Sequence, residues 1–110
     1  MIRAEFPEMS SLTLERAAEL FGVLSTPVRL QIIRILCDGE QNVTHLLAQI
    51  EASQPNMSRH LQVLYQAGML TKRRSGHQVF YRLADDSQAL VCKLVCSKFE
   101  RDGSVFEVPV

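Results

Sequence analysis

Apolar residues recur along this chain at two spacings, and the change between them marks where helices give way to strands. Up to Gly68 the spacing is helical. Leu14, Ala17, Ala18, Phe21 and Leu24 share one face of a first helix that Ser11 or Thr13 can cap. Ser25-Thr26-Pro27 reads as a cap followed by a first-turn proline. It opens a second helix, VRLQIIRILC, buried through Leu30, Ile33 and Leu36 or Cys37 and stopped at Gly39. VTHLLAQI forms a short third helix that ends at Glu51-Ala52. Ser53 caps a fourth, with Pro55 in its first turn, which runs from about Gln54 to Ala67. Met57, Leu61 and Leu64 lie on one side of that helix and must face the core.

After Gly68 the period becomes two. MLTKRRSGHQVFYRL predicts a β-hairpin, with its turn near Ser75-Gly76 and the β-rich Val79-Phe80-Tyr81 on the return strand. Asp85-Asp86-Ser87 opens a fifth helix to about Phe99, its acids at the positive end of the helix dipole. The expected fold is therefore mainly α with a small β wing: four helices, two strands and a last helix. The third and fourth helices are joined by a turn of about three residues and followed by a hairpin, the arrangement of a winged helix-turn-helix. Residues 1–10 and 103–110 read as tails around one domain of residues 11–102.

Composition adds limits. A chain of 110 residues that is 46 % hydrophobic makes one domain with a core. No apolar run is long enough to span a membrane, and MIRAEFPEMSS lacks the apolar segment of a signal peptide, so a cytoplasmic protein is expected. Three cysteines do not make a disulfide scaffold, and in a reducing compartment they begin as thiols.

Charge changes the picture more. The totals cancel at 12 basic and 12 acidic, but residues 52–84 hold Arg59, Lys72, Arg73, Arg74 and Arg82 and no acid, leaving 7 basic against 12 acidic elsewhere. One third of the chain thus attracts a polyanion that the rest repels. The plain alternative is a solvated basic face on a small α+β domain. An enzyme is disfavoured: no nucleophile elbow, phosphate loop or HExxH is present, and His45, His60 and His77 are scattered over separate elements. A protein-interaction module is the other contrasting class.

STPVRLQIIRIL, SQPNMSRHLQVLYQAGML and KRRSGHQVFYRL, in that order and spacing, resemble the ArsR/SmtB family of bacterial winged-helix repressors over roughly residues 13–100. The resemblance implies a homodimer joined through its first and last helices. It also implies repression of a nearby operon, relieved when an effector binds.

On that fold the fourth helix enters the major groove of double-stranded operator DNA. Arg59, opposite the buried stripe, is its best reader of a guanine edge. Gln54, Asn56, Ser58, His60 and Gln62 flank it as base or phosphate partners, with His60 open between phosphate contact and packing. Arg73, Arg74 and His77 at the hairpin tip are expected to reach phosphates or an adjacent minor groove, unless the hairpin serves only solubility.

The ligand sets that the family uses for metals are not present. Val43, Thr44 and His45 stand in place of a Cys-Val-Cys signature, and Ser87 and Lys98 stand where histidines of the last-helix site belong, although Asp85 matches its first position. Thiols remain. Cys92 and Cys96 share a face of the last helix with Val95 and Phe99, which is either a sensing pair or a plain apolar seam. A functional pair admits two chemistries. One is a thiophilic ion such as As(III), with Cys37 or a partner-subunit thiol as third ligand. The other is a disulfide or polysulfide bridge from Cys37 to Cys92 or Cys96. Lys93 and Lys98 are placed to lower a thiol pKa.

Overall fold

A computed structural model of the chain describes residues 7–101 and 104–105. Its elements run α1 (Ser11–Val23), α2 (Pro27–Leu36), β1 (Gln41–Asn42), α3 (Val43–Gln49), α4 (Gln54–Gln66), β2 (Leu70–Ser75), β3 (Gln78–Leu83), α5 (Ser87–Phe99), β4 (Glu100–Arg101) and β5 (Ser104–Val105). The expected order of helices and wing is present, with β1 added ahead of α3.

Caps set the helix starts. Ser10, not Ser11 or Thr13, caps α1: its backbone is extended, and its hydroxyl accepts from the Thr13 N–H at 3.1 Å. Ser11 and Thr13 lie inside the helix, at its first and third positions, so neither holds the half-in position. Thr26 caps α2 ahead of Pro27, and Ser53 caps α4. Gly68 ends α4. It takes a φ of 79°, and Met69 N–H reaches back to the Leu64 carbonyl at 3.0 Å, a Schellman closure.

The core lies where α2, α3 and α4 converge on the sheet. Ile32, Ile33, Leu46, Met57, Leu61 and Leu64 are fully excluded from solvent. Ile32 takes the place expected of Leu30, which is only half-buried. Among the described residues α1 buries nothing, and Leu12, Leu14 and Phe21 are mostly exposed, so its apolar face is left without a cover inside the chain.

The sheet order is β1-β3-β2, all antiparallel. The hairpin closes over a two-residue turn, Gly76-His77, between paired Ser75 and Gln78. Gly76 has a φ of 63°, as the first central residue of such a turn requires. Two residues of β1 carry no periodic signal, which is why the third strand was not expected. Asn42 gives them a purpose. It is buried, its Oδ1 caps α3 by accepting from His45 N–H at 2.8 Å, and its Nδ2 donates to Gln78 Oε1 at 2.9 Å.

α5 follows a short turn in which the Asp85 carboxylate accepts from the Ser87 N–H and hydroxyl. These bonds hold its carboxyl below the usual range. The helix packs on α2 through the half-buried Val91 and Cys92, while Leu90, Leu94 and Phe99 stay exposed. Most of both expected tails lies outside the described residues; Ser104–Val105 pairs with Glu100–Arg101. Among the described residues no helix is long and apolar enough to cross a membrane.

Candidate nucleic-acid interface and thiol pair

Burying Met57, Leu61 and Leu64 turns the opposite side of α4 outward. Gln54, Asn56, Ser58, Arg59 and Gln62 are all exposed there, with no carboxylate on the helix. His60 is the exception in the expected set. It is half-buried, and its Nδ1 accepts from Arg29 Nε at 3.1 Å, tying α4 to α2. Burial, then the neighbouring Arg29 and Arg59 cations, holds its pKa below 6.5. Arg29 is itself fixed by donating from Nη1 to the Val23 carbonyl at 3.0 Å.

The wing divides its cations between its faces. Arg73 is exposed, but its guanidinium has a partner within the chain. It holds Glu40 in a two-pronged ion pair, at 2.7 Å from Nη2 and 2.9 Å from Nε, and lies 4.7 Å over the Phe80 ring. Each partner stabilises the charge of the other: Glu40 titrates lower and Arg73 higher than usual. Lys72 sits 4.3 Å over the Tyr65 ring of α4. Arg74 and His77 are exposed at the tip, and no salt bridge among the described residues involves Arg74.

The cysteines pair across helices rather than along α5. Cys37, just past α2, and Cys92 on α5 stand with their sulfurs 3.6 Å apart, as free thiols. Cys96 is exposed, although it shares a face with Cys92. Burial, followed by the adjacent Cys37, pushes the Cys92 thiol up to about 11. The expectation that Lys93 and Lys98 lower it is therefore reversed, because both lysines are exposed and desolvation acts at the sulfur itself. Among the described residues no three His, Cys, Asp or Glu side chains gather to hold a metal ion.

Beside this pair runs an open groove of about 870 Å³ between the end of α2, the sheet and the start of α5. Cys37 lines it and Cys92 does not.

A helix with an outward polar row, seated by a short preceding helix and flanked by a cationic two-stranded hairpin, defines a winged helix-turn-helix domain. Residues 26–72 match the family described as bacterial regulatory protein, arsR family. The HTH-type transcriptional repressor SmtB of Mycobacterium tuberculosis is 42 % identical over 72 residues, which is 66 % of this chain and 53 % of that protein. The match thus spans about half the length of that relative. The crystal structure of the transcriptional repressor BigR from Xylella fastidiosa is similar at a TM-score of 0.70 and 36 % identity, covering 83 % of this chain and 97 % of that one. A homodimeric winged helix-turn-helix DNA-binding domain from Mycobacterium bovis is similar at a TM-score of 0.72 and 27 % identity, covering 86 % and 88 %. The chain belongs to the ArsR family, whose matched members are transcriptional repressors rather than enzymes.

Proposed function

We propose that two copies of this chain form a repressor that holds duplex operator DNA through both α4 helices and both wings, and that bridging Cys37 to Cys92 releases it. The similarity to repressors and to a homodimeric DNA-binding domain supports the first half. So do the acid-free row around Arg59 and the outward Arg74. The uncovered apolar residues of α1 and α5 support the second copy: Phe21, Leu90 and Leu94 are more than half exposed in the single chain.

The observation that carries the second half is the 3.6 Å contact between Cys37 and Cys92. A disulfide needs about 2.05 Å between sulfurs, so forming one closes the gap between the two sulfurs by about 1.5 Å and locks the end of α2 to the face of α5. Two protons and two electrons leave the pair, and an oxidant accepts the electrons. Because α5 belongs to the dimer face in this reading, the shift alters the separation of the two α4 helices. Oxidation releases DNA only if the bridged form fits the DNA-free arrangement better. The same two thiols suit a soft metalloid such as arsenite, and mass spectrometry separates the outcomes: loss of two hydrogens against an arsenic adduct.

The test is an electrophoretic shift of the upstream DNA with polysulfide, arsenite and divalent metals added in turn. Cys37→Ser and Cys92→Ser are each expected to keep DNA affinity and lose release, whereas Cys96→Ser keeps both. Full release of the Cys92→Ser protein would reject the thiol reading and leave the DNA reading standing.

A further inference from the structure

His60 stands on the shoulder of α4, between the buried stripe of Met57, Leu61 and Leu64 and the exposed Asn56 and Arg59. Its ring is held at one nitrogen only. Arg29 Nε donates to Nδ1 at 3.1 Å. A guanidinium has N–H groups and no acceptor, so Nδ1 must offer its lone pair. An imidazolium carries hydrogen on both nitrogens and cannot make this bond. The bonded ring is therefore neutral, with its single hydrogen on Nε2. Nε2 has no hydrogen-bond partner among the described residues, and no buried side-chain nitrogen or oxygen among them lacks one. Nε2–H consequently opens to solvent.

We propose that Arg29 is a positioning residue for DNA binding: it fixes His60 as the Nε2–H tautomer, and that N–H gives a duplex phosphate an uncharged hydrogen bond beside Arg59. The proposal rests on the reading of α4 as the helix that faces DNA. It adds which atom of His60 makes the contact, in what state, and what holds it there. Arg29 suits the task because its own place is fixed without DNA. Its backbone N–H donates to the capping Thr26 Oγ1 at 3.2 Å, and its Nη1 donates to the Val23 carbonyl at the end of α1 at 3.0 Å. One guanidinium thus spans the end of α1 and the ring on α4.

A neutral donor does what the surrounding cations do not. It orients the helix on the backbone without displacing a counterion, so the affinity it supplies does not fade with salt as that of Arg59 or Arg74 does. The lowered pKa of His60 agrees with this state: burial first, then the Arg29 and Arg59 cations, disfavours the imidazolium.

The experiment has two arms on the full chain. The first is long-range proton–nitrogen correlation of the histidine rings at neutral pH, with the His60→Asn spectrum for assignment. His60 is expected to show a bare Nδ1 and a protonated Nε2, and Arg29→Lys to average the two signals. A protonated Nδ1 in the native protein would overturn the proposal without any variant having to fold. The second arm is affinity for the upstream DNA across a salt series. The Asn amide reaches only the place of Nδ1, so His60→Asn should bind about tenfold more weakly with an unchanged slope of log affinity against log salt. The Gln amide reaches the place of Nε2, so His60→Gln should recover most of that loss. Arg29→Lys keeps the charge but cannot span Val23 and His60. It should weaken binding by about fivefold alone and by nothing further in the His60→Asn background. Equal losses for Asn and Gln would overturn the contact, and a slope reduced by about 0.9 in His60→Asn would make it a cationic one instead. A cost of Arg29→Lys that persists beside His60→Asn would make Arg29 a direct contact and end its positioning role. If the native protein shows the expected tautomer and binds no duplex at low salt, the DNA reading of α4 is what fails, and the contact with it.

Discussion

Arg59, Arg73 and Arg74 carry the same charge and occupy three different situations. Arg59 is exposed opposite the buried Met57–Leu64 stripe. Arg59→Ala is expected to weaken operator binding by about 1–3 kcal/mol and relax preference at one base position, measured by competition among altered sites. Arg74→Ala should weaken all duplexes alike and reduce the slope of log affinity against log salt by about one. Arg73→Ala acts differently, because its guanidinium is spent on Glu40 and Phe80. Its loss should loosen the wing before it costs a phosphate contact. The placement of Arg59 was legible in the sequence, since three apolar residues fix the helix face. That of Arg73 was not, because Glu40 lies 33 residues away. The same is true of His60, whose partner Arg29 comes from another helix. His60 also gives a pH dependence. Its folded pKa lies below the ordinary 6.5, so between those values the unfolded chain binds a proton that the folded chain does not. Stability is complete above pH 6.5 and is lost as pH falls through the lowered value. The denaturant midpoint should drop between pH 6.5 and 5 more in the native protein than in His60→Asn, and parallel profiles would refute the role.

At the scale of elements, starts and stops were readable wherever a cap or a glycine spoke locally: Thr26-Pro27, Ser53-x-Pro55, Gly68 and the Ser75-Gly76 turn. The α1 start fell one residue earlier, because Ser10, Ser11 and Thr13 are equivalent as types and differ only in backbone angle. Asn42 ahead of VTHLL was a usable cap signal. β1 itself was not readable, being two residues ordered by pairing to β3. The thiol pair was half-legible. Helical spacing shows that Cys92 and Cys96 share a face, but only the packing of α2 on α5 shows that Cys37 is the neighbour. Asn42→Ala is expected to destabilise the fold by about 1 kcal/mol or more, since it removes the α3 cap and leaves Gln78 unpaired. Gly76→Ala should cost about 1–2 kcal/mol by forcing an L side chain into a left-handed φ. Chemical denaturation measures both, and an unchanged midpoint for either variant would contradict the geometry.

The whole molecule is elongated. Its radius of gyration is 16.1 Å, against about 13 Å for a compact chain of this size. The excess fits a chain whose first helix packs on little of its own. Leu14→Glu together with Leu94→Glu is expected to convert the dimer to a monomer in sedimentation while far-ultraviolet helicity stays, because both side chains are exposed in the single chain. A dimer that survives both changes would place the interface elsewhere. The separation of a basic third from an acidic remainder, visible in the sequence, becomes at this scale an orientation. In the proposed repressor the α4 and wing side approaches a polyanion while the rest of the surface turns away.

Asn42 touches both the first turn of α3 and the strand that leaves the wing tip, so the helix pair and the wing are one casting. In the proposed dimer two of them act as the jaws of a caliper, with the gap as the setting. One base pair inserted between half-sites moves the second by about 3.4 Å and turns it by about 35°. That insertion should abolish binding more thoroughly than any single base change inside a half-site. In the proposed repressor, the distance between half-sites then counts before the letters inside them.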